Sequence, residues 1–369
     1  MNKITKVGMS ALCGSLASVA AAHAGSLDVT GSAKMTHTNV SNGVVGNPIG
    51  MATGLTFTGN GELDGGQTFA LTLTDANKAA WSTGSISLTT NSIGTFALNS
   101  GGGGAGIGGY DDNMPRAYEE VWDTAIATNV NLQKGVSGST NIEWTSPSVL
   151  GTSLKVAYAP DNDGTQNNNK STSGEASNHF GSGFDVVLDM DVQGHVAGFN
   201  LILGASETET AKGVLGGTAN PGVKGPTHDH EEGVVGLILN LGPVEIGGQV
   251  SAERIAVGST RNSASYYGNA SWGVAFNVND NLSLSYSEHK AVQSKTKKAG
   301  NPPATADKTL ANINEYTPKA WMKGDSIQVA YTIGGVAIKY AQTKYDNTAY
   351  GFDTKAPKES QLVEVSMAF

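Results

Sequence analysis

Seven charged side chains lie between residues 101 and 136, a stretch that opens with a run of glycines. Its carboxylates are Asp111, Asp112, Glu119, Glu120 and Asp123, and its cations are Arg116 and Lys134, so five negative charges against two positive ones give −3. Clustered carboxylates can exchange protons or attract cations, and they act most strongly where the local dielectric constant is low. Their chemistry therefore depends on the elements that position this stretch.

Three other motifs give weaker signals. Residues 104–109 match the G-x-G-x-x-G dinucleotide fingerprint, but no βαβ pattern surrounds them, and we expect no nicotinamide cofactor. Residues 228–232, His-Asp-His-Glu-Glu, offer paired imidazoles to a transition metal. Closeness in sequence does not fix ligand geometry, so we interpret them as a solvated external loop and predict no metal site. Residues 161–164 begin like a calcium loop, but position twelve is Thr172 instead of Glu.

Motifs for covalent catalysis are sparse. The chain has no G-x-S-x-G nucleophile signature, and most histidines after residue 24 fall in or beside predicted loops and turns. A protease that uses paired carboxylates remains an open alternative, because acids are plentiful. We predict no catalytic residue and no cofactor.

The composition excludes several classes of protein. The 369 residues include 49 Gly and only 15% charged residues, with 23 Lys+Arg against 32 Asp+Glu for a net charge of −9. Strong helix formers are scarce, which disfavours a helical protein. The acidic balance argues against a nucleic-acid partner. Cys13 is the single cysteine, so a disulfide framework is impossible.

The first 24 residues have the pattern of a secretory signal peptide. Lys3 and Lys6 precede a mildly apolar stretch, and Ala22-His23-Ala24 is a small-x-small cleavage site. We expect residues 25–369 to form one exported domain. No apolar run in it is long enough for a membrane-spanning helix, which needs about 20 residues.

Apolar and polar residues alternate along most of the exported domain. Leu27, Val29, Gly31, Ala33 and Met35 share one parity, while polar residues occupy the other. This period of two is typical of a strand with one polar face. The pattern recurs in sixteen segments, from residue 27 to the C-terminal row Val363, Val365, Met367 and Phe369.

The connections between these segments alternate in length. Asp64-Gly65-Gly66, Gly242-Pro243, Asn279-Asp280-Asn281 and Gly334-Gly335 predict tight turns, whereas 161–180, 211–231, 295–318 and 350–359 predict long polar loops. Short turns at one end and long loops at the other are typical of a transmembrane barrel. A soluble β-sandwich or solenoid would also alternate, but we find no repeat of about 20–50 residues. A final strand that ends on Phe369 is best paired with the first strand in a closed barrel.

The signal peptide, the sixteen alternating segments and the ending Gln361-Leu-Val-Glu-Val-Ser-Met-Ala-Phe369 together resemble a Gram-negative general porin. The resemblance implies an all-β, transmembrane antiparallel β-barrel of about 16 strands, with one long loop folded into the lumen. It also implies a homotrimer in the bacterial outer membrane, in contact with lipid and lipopolysaccharide. Phe369 would serve as the signal that the barrel-assembly machinery reads.

The interval at about 101–136 follows the fifth predicted strand and is the candidate constriction loop. Its proposed constriction residues are Asp111, Asp112, Arg116, Glu119, Glu120 and Asp123. The polar parity of the strands should point into the lumen. It places these charged residues on the pore wall: Lys34, Glu62, Glu143, Lys155, Asp185, Asp189, Lys339 and Glu364. This set is mostly acidic and arginines are few, which predicts a weak cation preference and puts a strong field across the pore in doubt.

The apolar parity provides a check on these assignments. It contains Arg254, Lys323 and Asp325, and a Lys or Arg that faces lipid at the midplane costs about 2–4 kcal/mol. We therefore expect each of the three near a strand end or beside a bulge. The candidate interfacial aromatic residues are Trp321, Tyr266, Tyr340 and Tyr345.

The sequence predicts a passive, water-filled channel for small hydrophilic solutes and ions. A substrate-selective porin on the same barrel is an alternative, since Tyr110, Tyr118 and Trp122 could begin an aromatic track. An outer-membrane barrel enzyme and a structural or adhesive barrel are alternatives of other classes.

Overall fold

The computed structural model describes most of the predicted exported domain. The described residues are 25–41, 46–77, 79–100, 104–162, 180–192, 197–210, 228–255, 264–295, 319–350 and 356–368. The predicted signal peptide, residues 1–24, and the predicted assembly signal at Phe369 lie outside them, as do large parts of the predicted long loops.

The described residues form one closed barrel of sixteen antiparallel strands, in which each strand pairs with its neighbours in sequence. This confirms the predicted fold class. The strands are β1 (Ser26–Val40), β2 (Ile49–Glu62), β3 (Thr68–Ala76), β4 (Ala79–Thr89), β5 (Thr95–Ser100), β6 (Asn141–Thr145), β7 (Thr152–Ala159), β8 (Phe180–Val192), β9 (Gly198–Thr210), β10 (His230–Leu241), β11 (Val244–Arg254), β12 (Ala264–Asn279), β13 (Leu282–Lys295), β14 (Lys319–Ile333), β15 (Val336–Asp346) and β16 (Lys358–Ala368).

The barrel closes where β1 pairs with β16. Their register runs from Ser32 opposite Ala368 to Val40 opposite Ser360 without a break. An open sheet would leave two edges of unpaired backbone N–H and C=O groups, which cannot be satisfied in hydrocarbon. The C-terminal strand therefore has a structural role that its alternating sequence predicts.

Side chains of the apolar parity point outwards, as the alternation predicts. Met51 is 68% exposed and Ile327 is 58% exposed on the outer surface. On β14, Gln328 directly follows Ile327, and its side chain is fully buried on the inner side. An apolar exterior with a polar interior is the reverse of a soluble β-sandwich and is typical of a barrel in lipid.

The predicted tight turns join consecutive strands at one end of the barrel. Gly242-Pro243 connects β10 to β11, and Gly334-Gly335 connects β14 to β15. Gly242 and Gly334 have positive φ angles of 69° and 51°, which glycine adopts without a side-chain clash. No helix in the described part of the chain is long and apolar enough to span a membrane.

The longest described connection, residues 104–140, joins β5 to β6 and folds into the lumen. It begins with a short 3-10 helix, Gly106–Tyr110. Three apolar clusters hold it against the inner wall, and in each cluster loop residues pack on inward-facing strand residues. They are Ile107 and Tyr110 with Val187, Ile202 and Val234; Met114, Val121 and Ile126 with Ala291, Ala320, Met322, Tyr345 and Tyr350; and Val136 with Ala157 and Ala159.

Two expectations about the outer face need correction. Arg254 is the last residue of β11, as expected, and its guanidinium lies 3.1 Å from Glu231. Lys323 and Asp325, however, lie inside β14, and the β13–β14 register is continuous there. Lys323 lies 3.8 Å from Glu288, and Asp325 is opposite Lys344 on β15, so outward charges of opposite sign compensate one another.

The prediction for Tyr345 is also wrong. Its side chain is fully buried on the lumen side of β15, where its hydroxyl contacts the His289 ring, so it is not an interfacial residue. Trp321 and Tyr266 lie on the outer face, with 56% and 38% exposure. Tyr345 follows Tyr340 on β15 by five positions, an odd number. Because side chains alternate between the two faces of a strand, the two rings lie on opposite faces of the barrel wall.

Candidate functional site

The two ends of the lumen loop converge on one buried carboxylate. Asp185 of β8 accepts hydrogen bonds from the backbone N–H of Ile107, at 3.0 Å, and of Val136, at 3.1 Å. Gly106 and Gly135 precede these donors, with φ angles of 55° and 54°, and a Cβ atom on either would overlap the Asp185 carboxylate. The glycines therefore let the backbone approach Asp185 closely, and one side chain fixes both ends of the loop.

The outgoing limb of the loop lies against three more of the predicted wall residues. Glu143 accepts a hydrogen bond from the Gly106 N–H at 2.8 Å, and the Tyr110 hydroxyl donates to Asp189 at 2.8 Å. The Lys155 ammonium lies 4.8 Å from the Tyr110 ring centroid, close enough for a cation–π interaction. Glu143, Lys155, Asp185 and Asp189 therefore form one docking surface for the loop.

Neutral polar side chains of β11 and β13 hold the middle of the loop. Gln249 of β11 accepts from the Asn113 N–H at 2.9 Å and donates to the Asp111 carbonyl at 3.0 Å. Ser285 of β13 accepts from the Ala117 N–H at 2.9 Å. The sequence analysis missed these residues because it considered only charged positions of the inward parity.

Gln328 of β14 completes this set. Its side-chain oxygen accepts from the N–H groups of Tyr118 and Glu119, at 2.9 and 3.1 Å, and its amide donates to the Glu119 carbonyl at 2.5 Å. Gln328 is fully buried and belongs to the inward parity of a strand with an apolar outer face. A buried amide at such a position is a sequence signal for loop docking that could have been used.

A further group of contacts on the wall surrounds Tyr118 and contains the predicted wall residues Lys34, Lys339 and Glu364. The Tyr118 hydroxyl donates to Glu364 at 2.9 Å, and Lys339 donates to the other Glu364 oxygen at 3.1 Å. Lys34 lies 3.8 Å from the same carboxylate. Lys339 also lies 5.1 Å from the Tyr118 ring centroid. Two of the wall lysines are therefore already paired with a wall carboxylate.

Arg116 is paired within the loop itself. One guanidinium nitrogen lies 2.6 Å from Asp112 and 2.6 Å from Glu120, and the other donates to the Asp112 carbonyl at 2.7 Å. Two of the five predicted constriction carboxylates therefore share one positive charge, which compensates one of their two negative charges. Asp111, Glu119 and Asp123 lie outside this pair of salt bridges.

Partial burial changes the acidity of the constriction carboxyls. Burial raises the pKa of Glu120 to about 7, although the Arg116 guanidinium acts in the opposite direction. Burial also raises the pKa of Glu119, with Asp123 adding repulsion, and the pKa of Asp111, with Asp112 adding repulsion. The negative charge of the constriction therefore increases as the pH rises.

The return limb of the loop contacts β10 and β11. Glu232 accepts hydrogen bonds from the N–H groups of Lys134 and Gly135, at 2.7 and 2.6 Å. His230 lies beside Glu232 inside the barrel, 3.0 Å away, so the interpretation of this residue as part of a solvated external loop is wrong. The alternating face of β10 places His230 and Glu232 inwards together. The His228 ring instead contacts the Asp229 carbonyl at 2.8 Å.

The wall across the lumen from the loop is lined mainly by hydroxyl groups. The hydrogen bonds of the loop reach β6, β8, β10–β14 and β16, so the opening faces β2–β5. One inward row there is Thr58, Thr72, Ser85 and Asn99, linked pair by pair across the sheet. Glu62, the predicted wall residue on this side, is exposed at the turn end of β2. The opening is thus bounded by an acidic loop and a wall of small polar residues.

Replacing Asp185 tests how the loop is anchored. Asp185→Ala leaves the Ile107 and Val136 N–H groups without their acceptor, and an unpaired buried donor costs about 1–3 kcal/mol. We expect larger and noisier single-channel currents in a planar bilayer, because the loop is freed at both ends. Glu62→Gln is the matched control, since it removes an inward carboxylate at the rim. Currents of unchanged size and noise in a folded Asp185→Ala variant would contradict the anchoring role.

Comparisons with known proteins agree with this geometry. A family model described as Gram-negative porin matches residues 8–317. Three solved structures resemble the chain over nearly its whole length: an anion-selective porin from Comamonas acidovorans (12% identity, 94% of this chain and 100% of that chain, TM-score 0.59), OmpF of Salmonella typhi in complex with daunomycin (13%, 93% and 97%, 0.61) and the trimer form of OmpT, an outer membrane protein of Vibrio cholerae (10%, 94% and 99%, 0.58). No curated protein matches the sequence. The family match covers most of the chain and the closed barrel has the same architecture, so the chain belongs to the Gram-negative porins of the outer membrane.

Proposed function

We propose that this porin is a passive, water-filled channel for small hydrophilic solutes and ions. The observation that carries the proposal is the one-sided position of the loop. It is fixed to strands between β6 and β16 by the buried Asp185, Gln249, Gln328 and Glu364, and it faces the hydroxyl-lined wall of β2–β5. A sixteen-stranded barrel is wide enough for an aqueous path beside such a loop.

We further propose a weak cation preference, which rests on the charges of this chain alone. Lys34 and Lys339 share Glu364, which leaves one positive charge, whereas Asp112 and Glu120 share Arg116, which leaves one negative charge. These two remainders cancel, and the carboxylates of Asp111, Glu119 and Asp123 give the opening a net negative charge. The Comamonas porin is anion-selective, but at 12% identity its likeness to this chain concerns the fold.

The positions of the aromatic residues argue against a substrate-selective porin with an aromatic track along its lumen. Tyr110 is bonded to Asp189, Tyr118 to Glu364, and the Trp122 ring lies 4.6 Å from the His289 ring centroid. Each ring thus packs the loop onto a different part of the wall, and the three do not line one path. The porin family and fold likewise favour a channel over an enzyme or an adhesive barrel.

The charge filter is tested by reversal potentials in a KCl gradient. We expect stepwise openings with a potential whose sign reports K⁺ preference, and a smaller potential for Glu119→Gln. One charge about 8 Å from the ion path in water contributes about 0.5 kcal/mol, or roughly a twofold change in permeability ratio. Thr72→Ser, on the opposite wall, is the control and should leave the potential unchanged. An anion preference in the wild-type channel would refute the charge filter, and no current from folded protein would refute the open channel.

The cation preference should also depend on pH. Because the pKa of Glu120 is raised to about 7, its carboxyl is mostly neutral about one pH unit below that value and mostly charged one unit above it. We therefore expect the K⁺ preference to decrease as the pH falls from about 8 to about 6. Glu120→Gln should flatten this change, whereas Asp123→Asn should retain it. A preference that is constant, or that rises on acidification, would contradict the assignment.

We also propose a homotrimer that assembles through the outer face of β1–β5. The support is a largely apolar surface with Met35, Met51, Leu55 and Ile86 exposed, on which Asp75 near the end of β3 is a charged exception, and the trimer form recorded for the Vibrio protein. Lipid, lipopolysaccharide and the barrel-assembly machinery are proposed partners in the membrane.

A pair of charge substitutions tests the trimer. Ile86→Arg, whose cross-strand neighbours Leu71 and Leu98 are apolar, should shift unheated protein in mild electrophoresis from three times the subunit mass to one. Ile327→Arg on β14 incurs a similar cost against lipid, up to about 2–4 kcal/mol at the midplane, but should remain trimeric. Loss of the trimer in both variants, or in neither, would contradict this face.

A further inference from the structure

A second group of titratable side chains lies on the inner wall of β10 and β11, apart from the constriction charges. Glu232 and Glu253 are direct cross-strand partners, and His230 lies two residues before Glu232 on the same face. The His230 Nε2 atom lies 3.0 Å from Glu232 Oε1 and 3.0 Å from Glu253 Oε1. The three side chains are only 13%, 7% and 10% exposed, so water shields their charges poorly.

The charge of this group is unbalanced. Two like charges directly opposite one another on neighbouring strands destabilise the pair, and shielding from water increases the cost. Even a protonated His230 would compensate only one of the two carboxylates. A divalent cation beside a neutral imidazole would compensate both.

The other carboxylate oxygens are held by the loop and bring no full positive charge. Glu232 Oε2 accepts the backbone N–H groups of Lys134 and Gly135 at 2.7 and 2.6 Å. Glu253 Oε2 accepts the Asn131 side-chain amide. These bonds fix both carboxylates and leave the two Oε1 atoms directed at His230 Nε2.

The geometry of the three atoms suits a transition metal. Zn²⁺ binds imidazole nitrogen and carboxylate oxygen at about 2.0–2.2 Å, which separates two tetrahedral ligand atoms by about 3.3–3.4 Å. The two nitrogen–oxygen separations of 3.0 Å are shorter by only about 0.3–0.4 Å, a change within reach of small side-chain rotations, and all three ligand atoms lie within 4.8 Å of one another. Three protein ligands of this kind leave a fourth position for water.

We propose that His230, Glu232 and Glu253 form a binding site for a divalent transition-metal ion, Zn²⁺ in the first place. Asn131, Lys134 and Gly135 act as outer partners that orient the ligands, and such partners contribute to metal affinity. The bound ion ties the return limb of the loop to β10 and β11 and removes negative charge from the lumen. His228, which the sequence motif pairs with His230, is outside this group, since the ligand atoms that lie within 4.8 Å of one another are those of His230, Glu232 and Glu253.

The site is tested by titrating the refolded, detergent-solubilised full barrel with Zn²⁺ in competition with a chromophoric chelator. We expect saturable binding of one Zn²⁺ per chain, a higher thermal unfolding temperature with Zn²⁺, and little response to the same concentration of Mg²⁺. His230→Ala and Glu253→Gln should each weaken Zn²⁺ binding by about tenfold or more. Glu253→Gln is nearly isosteric and keeps an acceptor for Asn131, so it separates loss of the metal from loss of the fold.

Two control variants complete the design. His228→Ala removes the neighbouring imidazole, and Glu231→Gln removes an outward carboxylate that is paired with Arg254. Both should bind Zn²⁺ like the wild type. The proposal is overturned if the wild-type barrel binds no Zn²⁺ saturably, or if His230→Ala binds it normally. Channel conductance is measured separately, so failure of the metal site leaves the channel proposal intact.

Discussion

Backbone amides and carbonyls inside a bilayer have no water to bond, and the pairing of β1 with β16 removes the last edge at which they would be exposed. Everything else in the molecule depends on this closure. It forces every strand to present one face to lipid and the other to the lumen, because side chains alternate with a period of two. The apolar outer residues and the polar inner ones are thus two consequences of one hydrogen-bonding constraint.

The loop between β5 and β6 occupies part of the lumen of a wide barrel. It is not held by strand pairing, so it needs inward-facing partners, and the wall supplies both kinds. Asp185, Gln249 and Gln328 satisfy its backbone, while Ile202, Val234 and Met322 bury its apolar side chains. The wall opposite carries the short polar side chains of Thr58, Thr72 and Ser85, and the loop lies away from it.

Many of the lumen charges hold the structure together. Asp185, Glu143 and Asp189 accept hydrogen bonds from the loop, and Glu364 gathers Lys34, Lys339 and Tyr118. Arg116 is enclosed by Asp112 and Glu120. Counting charges along the sequence therefore overstates the number that a permeating ion encounters, because paired groups attract free ions weakly.

The sequence by itself determined the strand number, the closed barrel, the tight turns and the face of almost every strand residue, since period-two alternation and turn residues are local signals. It also placed the wall charges Lys155, Asp189 and Glu364 on the inner face. Only the tertiary structure decided which of these charges meet. Asp185 lies 78 positions from Ile107, and Gln328 lies 210 from Tyr118, so no spacing rule links them. Likewise His230 meets Glu253 through the register of β10 and β11, whereas the local motif pairs it with His228. Contacts across a barrel follow from strand register and loop path, which the alternation leaves undetermined.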